Sequence, residues 1–202
     1  MIEVRFHGRK SQGSMEAARI LAAAFRLAGR DATCFIPAGW EYAVNFEASL
    51  ARADELSTGS RITSLVVFYP PLLEVPDIWL KFEHPHIVIV NTRNALEALD
   101  LCDGARVAAV DASGIARDAG PCYGIPSLVA PILGALAAAG NMVLGVHLMH
   151  ALKETARTLK ITQKDFERIM RALEAGYDSV RIRGGLSRIR SAKPSVDLAL
   201  AV

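Results

Sequence analysis

At 202 residues, 51% hydrophobic and with a formal charge of +2, the chain has enough apolar material for one full core and too little net charge to attract nucleic acid by bulk electrostatics. No apolar run approaches the roughly 18 residues that a membrane span needs, and the alternating, charged start does not read as a secretory signal. Cys34, Cys102 and Cys122 are too far apart for a CxxC site or a disulfide framework, so any iron–sulfur cluster is expected on another chain and the location is expected to be cytoplasmic.

The first stretch, IEVRFHGRKSQG, organises the rest. Ile2, Val4 and Phe6 alternate with Glu3, Arg5 and His7, which predicts a strand running into a turn bounded by Gly8 and Gly13. Met15, Ala18, Leu21, Ala22 and Phe25 then form a helical apolar stripe. A strand, a glycine loop and a helix in that order aim the helix's free N–H groups at whatever lies above the loop, and those groups favour an anion. The loop is not a known phosphate motif. Ser14 stands where GxxxxGK[ST] needs lysine, and Lys10 stands where GxGxxG needs glycine.

Further along, ATCFIP predicts a second strand, and Gly39, Trp40, Glu41 and Tyr42 a polar-aromatic cluster at its end. Phe46, Ala48, Leu50 and Ala53 predict a third strand, and Leu65 to Tyr69, stopped by Pro70 and Pro71, a fourth that is buried on both faces. The proline-rich residues 71–85 suit an irregular or short helical crossover. HIVIVNT predicts a fifth strand that delivers Asn91 to its end. A short helix over 95–101 and a sixth strand, ARVAAV, ending at Asp111, follow. Strands alternating with helices argue for an α/β fold, a doubly wound and mostly parallel sheet with flanking helices. Trp40, Glu41, Asn91 and Asp111 fall at strand ends, where ligands and partners collect in such sheets, although capping and turn-making suit Asn91 and Asp111 equally.

Residues 133–139, LGALAAA, predict a small-residue helix whose face admits another backbone, from a sheet or another subunit. The next helix is expected to turn Val146, Met149 and Leu152 to one side. His147 and His150 lack the further ligands of a metal site. A last helix, beginning at Thr162, buries Phe166, Ile169, Met170 and Leu173, with Gly176 as its C-cap. That places a domain at 1–176 and a basic extension at 177–202, where Arg181, Arg183, Arg188, Arg190 and Lys193 outnumber Asp178 and Asp197. Its apolar end suits an arm laid over a neighbouring subunit.

No GxSxG elbow, HExxH helix or Cys/His pairing is present, so no catalytic residue is assigned. The loop resembles the GRGGQG opening of the gamma subunit, or gamma domain, of the 2-oxoacid:acceptor oxidoreductases. Gly8, Arg9, Gln12 and Gly13 match it, while Lys10 and Ser11 replace two glycines. The resemblance continues through Gly39-x-Glu41, Val90-Asn91, Val110-Asp111-Ala112 and Leu133-Gly134-Ala135-Leu136, and spans residues 1 to about 175.

The resemblance implies a multi-subunit enzyme that decarboxylates a 2-oxoacid on thiamine diphosphate with Mg2+, passes electrons through [4Fe-4S] clusters and releases an acyl-CoA. The cofactors would sit on alpha, beta and ferredoxin-like delta subunits. It also implies that Gly8, Arg9, Lys10, Ser11, Gln12 and Gly13 border a subunit interface or the coenzyme A phosphates. The family's arginine and glycine after Gly-x-Glu and its asparagine before LGAL are absent here, a divergence that suggests an aromatic oxoacid such as phenylglyoxylate. Two alternatives stay open, a free-standing CoA- or nucleotide-binding α/β protein and a structural assembly subunit.

Overall fold

The structure, a computed structural model, describes residues 1–36, 46–53, 62–79, 86–94, 106–140, 142–143 and 145–184. Seven strands form one sheet: β1 Ile2–Arg9, β2 Ala32–Phe35, β3 Phe46–Ala53, β4 Ile62–Val67, β5 Ile87–Asn91, β6 Arg106–Val110 and β7 Arg181–Arg183. Their order is β2-β3-β1-β4-β5-β6-β7. Strand β1 pairs parallel to β4, β4 to β5 and β5 to β6, whereas β3 and β7 pair antiparallel to their neighbours. The mostly parallel α/β sheet expected from the sequence is therefore present. Trp40, Glu41 and the helix expected over 95–101 lie outside the described residues.

Among the described residues, five helices flank the sheet: α1 Ser14–Leu27, α2 Ala112–Ala119, α3 Val129–Gly140, α4 Gly145–Thr158 and α5 Gln163–Ser179. The larger core lies between them and the face carrying Ile2, Val4, Phe6, Val66, Ile87 and Ile89. The opposite face buries Leu65, Val67, Val88 and Val90 under two 3-10 turns, Pro70–Glu74 and Pro76–Ile78. These turns occupy the crossover expected to be irregular or short helical, and they stay short because Pro70, Pro71 and Pro76 cannot donate to a longer helix ladder. None of the helices among the described residues is long and apolar enough to cross a membrane.

Helix α3 is the centre of the helical layer, with eleven of its twelve residues buried. Its small side chains face α5 of the same chain. A methyl group added at Gly134 would collide with the Leu173 carbonyl, and one at Gly176 with the Pro131 carbonyl. The reciprocal glycines let the two helix backbones meet, so the small-residue face expected to need a neighbour is covered internally.

Three expectations are corrected. Gly176 is not a cap. It is buried within α5, which continues to Ser179 because the close approach to α3 rewards a side-chain-free position there. The extension expected from residue 177 does not begin there: Tyr177–Ser179 complete α5, and Arg181–Arg183 add β7 to β6, while residues 185–202 lie outside the described residues. The buried side of α4 is formed by Leu148, Ala151, Leu152 and Ala156, while Val146 is exposed, because the stripe follows the i, i+3, i+4 row set by Leu148.

Candidate functional site at the carboxyl edge of the sheet

Strands β1, β4, β5 and β6 run in one direction, so their ends place Gly8–Gly13, Tyr69, Asn91 and Asp111 along a single edge. Near the end of β1, Gly8 lies against Phe68: a Cβ on Gly8 would stand 3.1 Å from Phe68 Cβ. The loop is then closed by Gln12. Its Oε1 accepts the Arg9 amide at 2.7 Å, and the Gln12 amide donates to the Arg9 carbonyl at 3.1 Å. This reciprocal pair gives Gln12 a structural task that a small residue could not perform.

Ser11 and Gly13 both take left-handed backbone, at φ 75° and 95°. Gly13 precedes α1 as its N-cap and provides no side-chain acceptor there. Its carbonyl accepts the Ala17 amide at 2.9 Å, which closes the first turn. Lys10 is exposed and makes no hydrogen bond or ion pair among the described residues. An exposed lysine four residues before the first residue of a helix that lacks a side-chain cap adds to the positive field of that terminus.

Arg9 is held differently. Its guanidinium carbon lies 3.8 Å from the centroid of the Tyr69 ring, and Nη2 donates to the Tyr69 hydroxyl. Cation–π attraction and a hydrogen bond therefore fix its charge over the end of β4. Tyr69 escaped the sequence reading because it closes an apolar run. The signal was present in Pro70-Pro71, which marks Tyr69 as a strand end like Asn91 and Asp111.

Asn91 is buried and fully engaged. Its Nδ2 donates to the Phe68 carbonyl at 2.9 Å and to Ser113 Oγ at 3.0 Å, and its Oδ1 accepts the Ser113 amide at 3.2 Å. It ties β4, β5 and α2 together. Asp111 caps α2 by accepting the Gly114 amide at 2.8 Å and pairs with Arg93 Nε at 2.6 Å. Burial on its own would raise the Asp111 carboxyl, but the Gly114 amide and the Arg93 guanidinium outweigh it and hold the pKa below the usual carboxylate value. Both strand-end residues thus serve the turn-making and capping role that the sequence allowed.

The face of β1 turned away from the helices is polar. Glu3 accepts from Arg5 at 2.9 Å and from Arg52 at 3.2 Å, and His7 beside them is only 2% exposed. Burial, then the charge of Arg5, lowers the His7 pKa to about 3, so its imidazole is neutral near pH 7. Among the described residues no group of three or more His, Cys, Asp or Glu side chains could hold a metal ion.

Residues 3–179 match the family model described as pyruvate ferredoxin/flavodoxin oxidoreductase. The chain is 36% identical over 164 residues to the pyruvate/ketoisovalerate oxidoreductases common subunit gamma of Thermococcus kodakarensis, covering 77% of this chain and 86% of that one. It is 31% identical to the pyruvate synthase subunit PorC of Methanosarcina barkeri, covering 76% of this chain and 85% of the relative. The crystal structure of the pyruvate oxidoreductase subunit PORC (EC 1.2.7.1) of Thermotoga maritima superposes with a TM-score of 0.73 at 25% identity, over 90% of this chain and 97% of that one. The match runs from β1 to the end of α5, through the loop and both capped strand ends, and the chain belongs to the pyruvate ferredoxin/flavodoxin oxidoreductase family.

Proposed function

We propose that this chain is the gamma subunit of a 2-oxoacid:acceptor oxidoreductase, working in the cytoplasm with alpha, beta and ferredoxin-like delta subunits. The observation that carries this reading is the 36% identity to a relative named as a gamma subunit common to two oxoacid oxidoreductases. In this reading the partner chains hold thiamine diphosphate, Mg2+ and the [4Fe-4S] clusters, which supply the carbanion and electron-transfer chemistry. The isolated chain has no turnover of its own.

The Gly8–Gly13 loop borders the coenzyme A path. What supports this is the donor set: Lys10 has no partner among the described residues, and α1 begins without a side-chain acceptor. Both suit a phosphate group. Arg9, clamped on Tyr69, keeps a second positive charge at the same edge. Gln12 shapes the loop, and its carbonyl oxygen is not available to a ligand.

Isolating the chain from its host tests the reading. The expected eluate contains partner subunits, thiamine diphosphate and iron, and reduces a dye only when a 2-oxoacid and coenzyme A are supplied. Comparing pyruvate, a branched-chain oxoacid and phenylglyoxylate then identifies the substrate, and the divergent loop favours the aromatic one. A colourless, solitary chain that binds coenzyme A would instead support the free-standing binder.

A further inference from the structure

We infer that the charged hollow between α2 and β7 is a docking surface for an acidic segment, bearing Asp or Glu side chains, of a partner subunit; the inference rests on the subunit reading above. The hollow measures about 370 Å3 and is lined chiefly by Arg93, Asp111, Arg117, Asp118, Ser179 and Arg181. It lies beyond the end of β6, with β4 and β5 between that strand and β1. The site at the Gly8–Gly13 loop does not account for it.

Three guanidinium groups here meet two carboxylates, and the fold fixes two of the cations. Arg93 Nε donates to Asp111, and Arg181 Nη2 donates to the carbonyls of Arg93 and Asn94 at 3.2 and 2.8 Å. The other nitrogens of Arg93 and Arg181, and the entire Arg117 guanidinium, make no hydrogen bond among the described residues. The first-turn amides of α2 are already taken, since Ser113 donates to Asn91 and Gly114 to Asp111. The surplus is therefore the free edges of two placed guanidinium groups, Arg93 and Arg181, and the whole of Arg117 beside them, and the planar fork of each suits bidentate contact with carboxylates.

The exposure of these groups decides the kind of occupant. Arg93 is 61% exposed and Asp111 35%. Small-ligand sites enclose most of the ligand, and water and salt weaken an ion pair left open. A free anion is held poorly in such a hollow. A protein segment laid across it excludes the water, and each guanidinium–carboxylate contact gains as it is desolvated.

Arg117 is the residue to change, because no hydrogen bond among the described residues depends on its guanidinium. The full chain, as wild type and as R117E, R117Q and R117K, is titrated with its partner subunits and the Kd of assembly is measured across salt concentrations. Expected are a weakening of about tenfold or more for R117E, a smaller one for R117Q, a smaller one still for R117K, which keeps the charge and loses the fork, and a shallower salt dependence in the first two. R117Q carries the test if R117E does not fold. Assembly of R117E and R117Q within about twofold of wild type overturns the docking surface alone. So does tight binding of acetate or inorganic phosphate by the wild-type chain that R117E abolishes without affecting assembly. A wild-type chain that assembles with no partner overturns the subunit reading and the docking surface together.

Discussion

Gly13 lies directly against Pro126: a Cβ on Gly13 would stand 2.8 Å from the Pro126 Cβ, and the glycine's φ is 95°. The contact locks the β1–α1 turn to the segment that leads into α3. Two stretches more than a hundred residues apart in sequence therefore share one wall, and the position of the loop depends on the packing of the central helix.

Replacing Gly13 by alanine introduces both a strained backbone and a collision with Pro126 and Val129. G13A is expected to lose about 3 kcal/mol in denaturant unfolding. A loss below about 1 kcal/mol would mean that the loop shifts freely and is not positioned by α3.

Ser11 occupies a left-handed position, φ 75°, where the related loop has glycine. A non-glycine residue in that region costs about 1 kcal/mol, which glycine avoids at the expense of a more flexible unfolded chain. S11G should therefore keep its stability or gain up to about 1 kcal/mol, while S11V, with a branched Cβ, should lose about 1–2 kcal/mol. Thermal unfolding of the pair checks this, and a clear loss in S11G counts against strain at the loop.

How much of this was readable in advance depended on the range of the interaction. The strands β1 to β6 were legible because period-two alternation, apolar runs and the turn residues that bound them are local. Strand β7 was not, since Arg181-Ile182-Arg183 is three residues long and is defined only by pairing with β6, far away in sequence. Gly176 was misread because glycine after a helical stripe usually ends the helix, and only α3 reveals that it serves close packing. The placement of the loop and the two strand ends on one edge of the sheet was legible, but Gln12 closing on Arg9 and Tyr69 holding Arg9 depend on side-chain geometry that spacing does not encode.

Lys10 gives the clearest test of the proposed coenzyme A path, because no described contact of the fold depends on it. In the assembled enzyme, K10E is expected to raise the KM for coenzyme A by about tenfold, equivalent to losing one charge-assisted contact of about 1.4 kcal/mol. The KM for the oxoacid should stay constant. Equal changes in both would place Lys10 at a general assembly contact and not at the coenzyme.

His7 should make folding sensitive to acid. Its pKa falls from 6.5 in the open chain to about 3 in the fold, through burial first and the charge of Arg5 second. Below pH 6.5 the unfolded chain takes up a proton that the folded chain refuses, so stability drops as the pH falls, and continues to drop until the folded pKa is reached. At pH 5 the loss from this group is about 2 kcal/mol. Asp111 acts in a lower window, because its folded pKa lies below 3.8 and its contribution fades only as the pH falls below that unfolded value. Unfolding free energies measured from pH 7.5 to 5 should therefore slope downward in the wild type and lie nearly flat in H7Q. The same slope in both would show that the imidazole is protonated in the fold, with Glu3 providing compensation that the charge of Arg5 does not cancel.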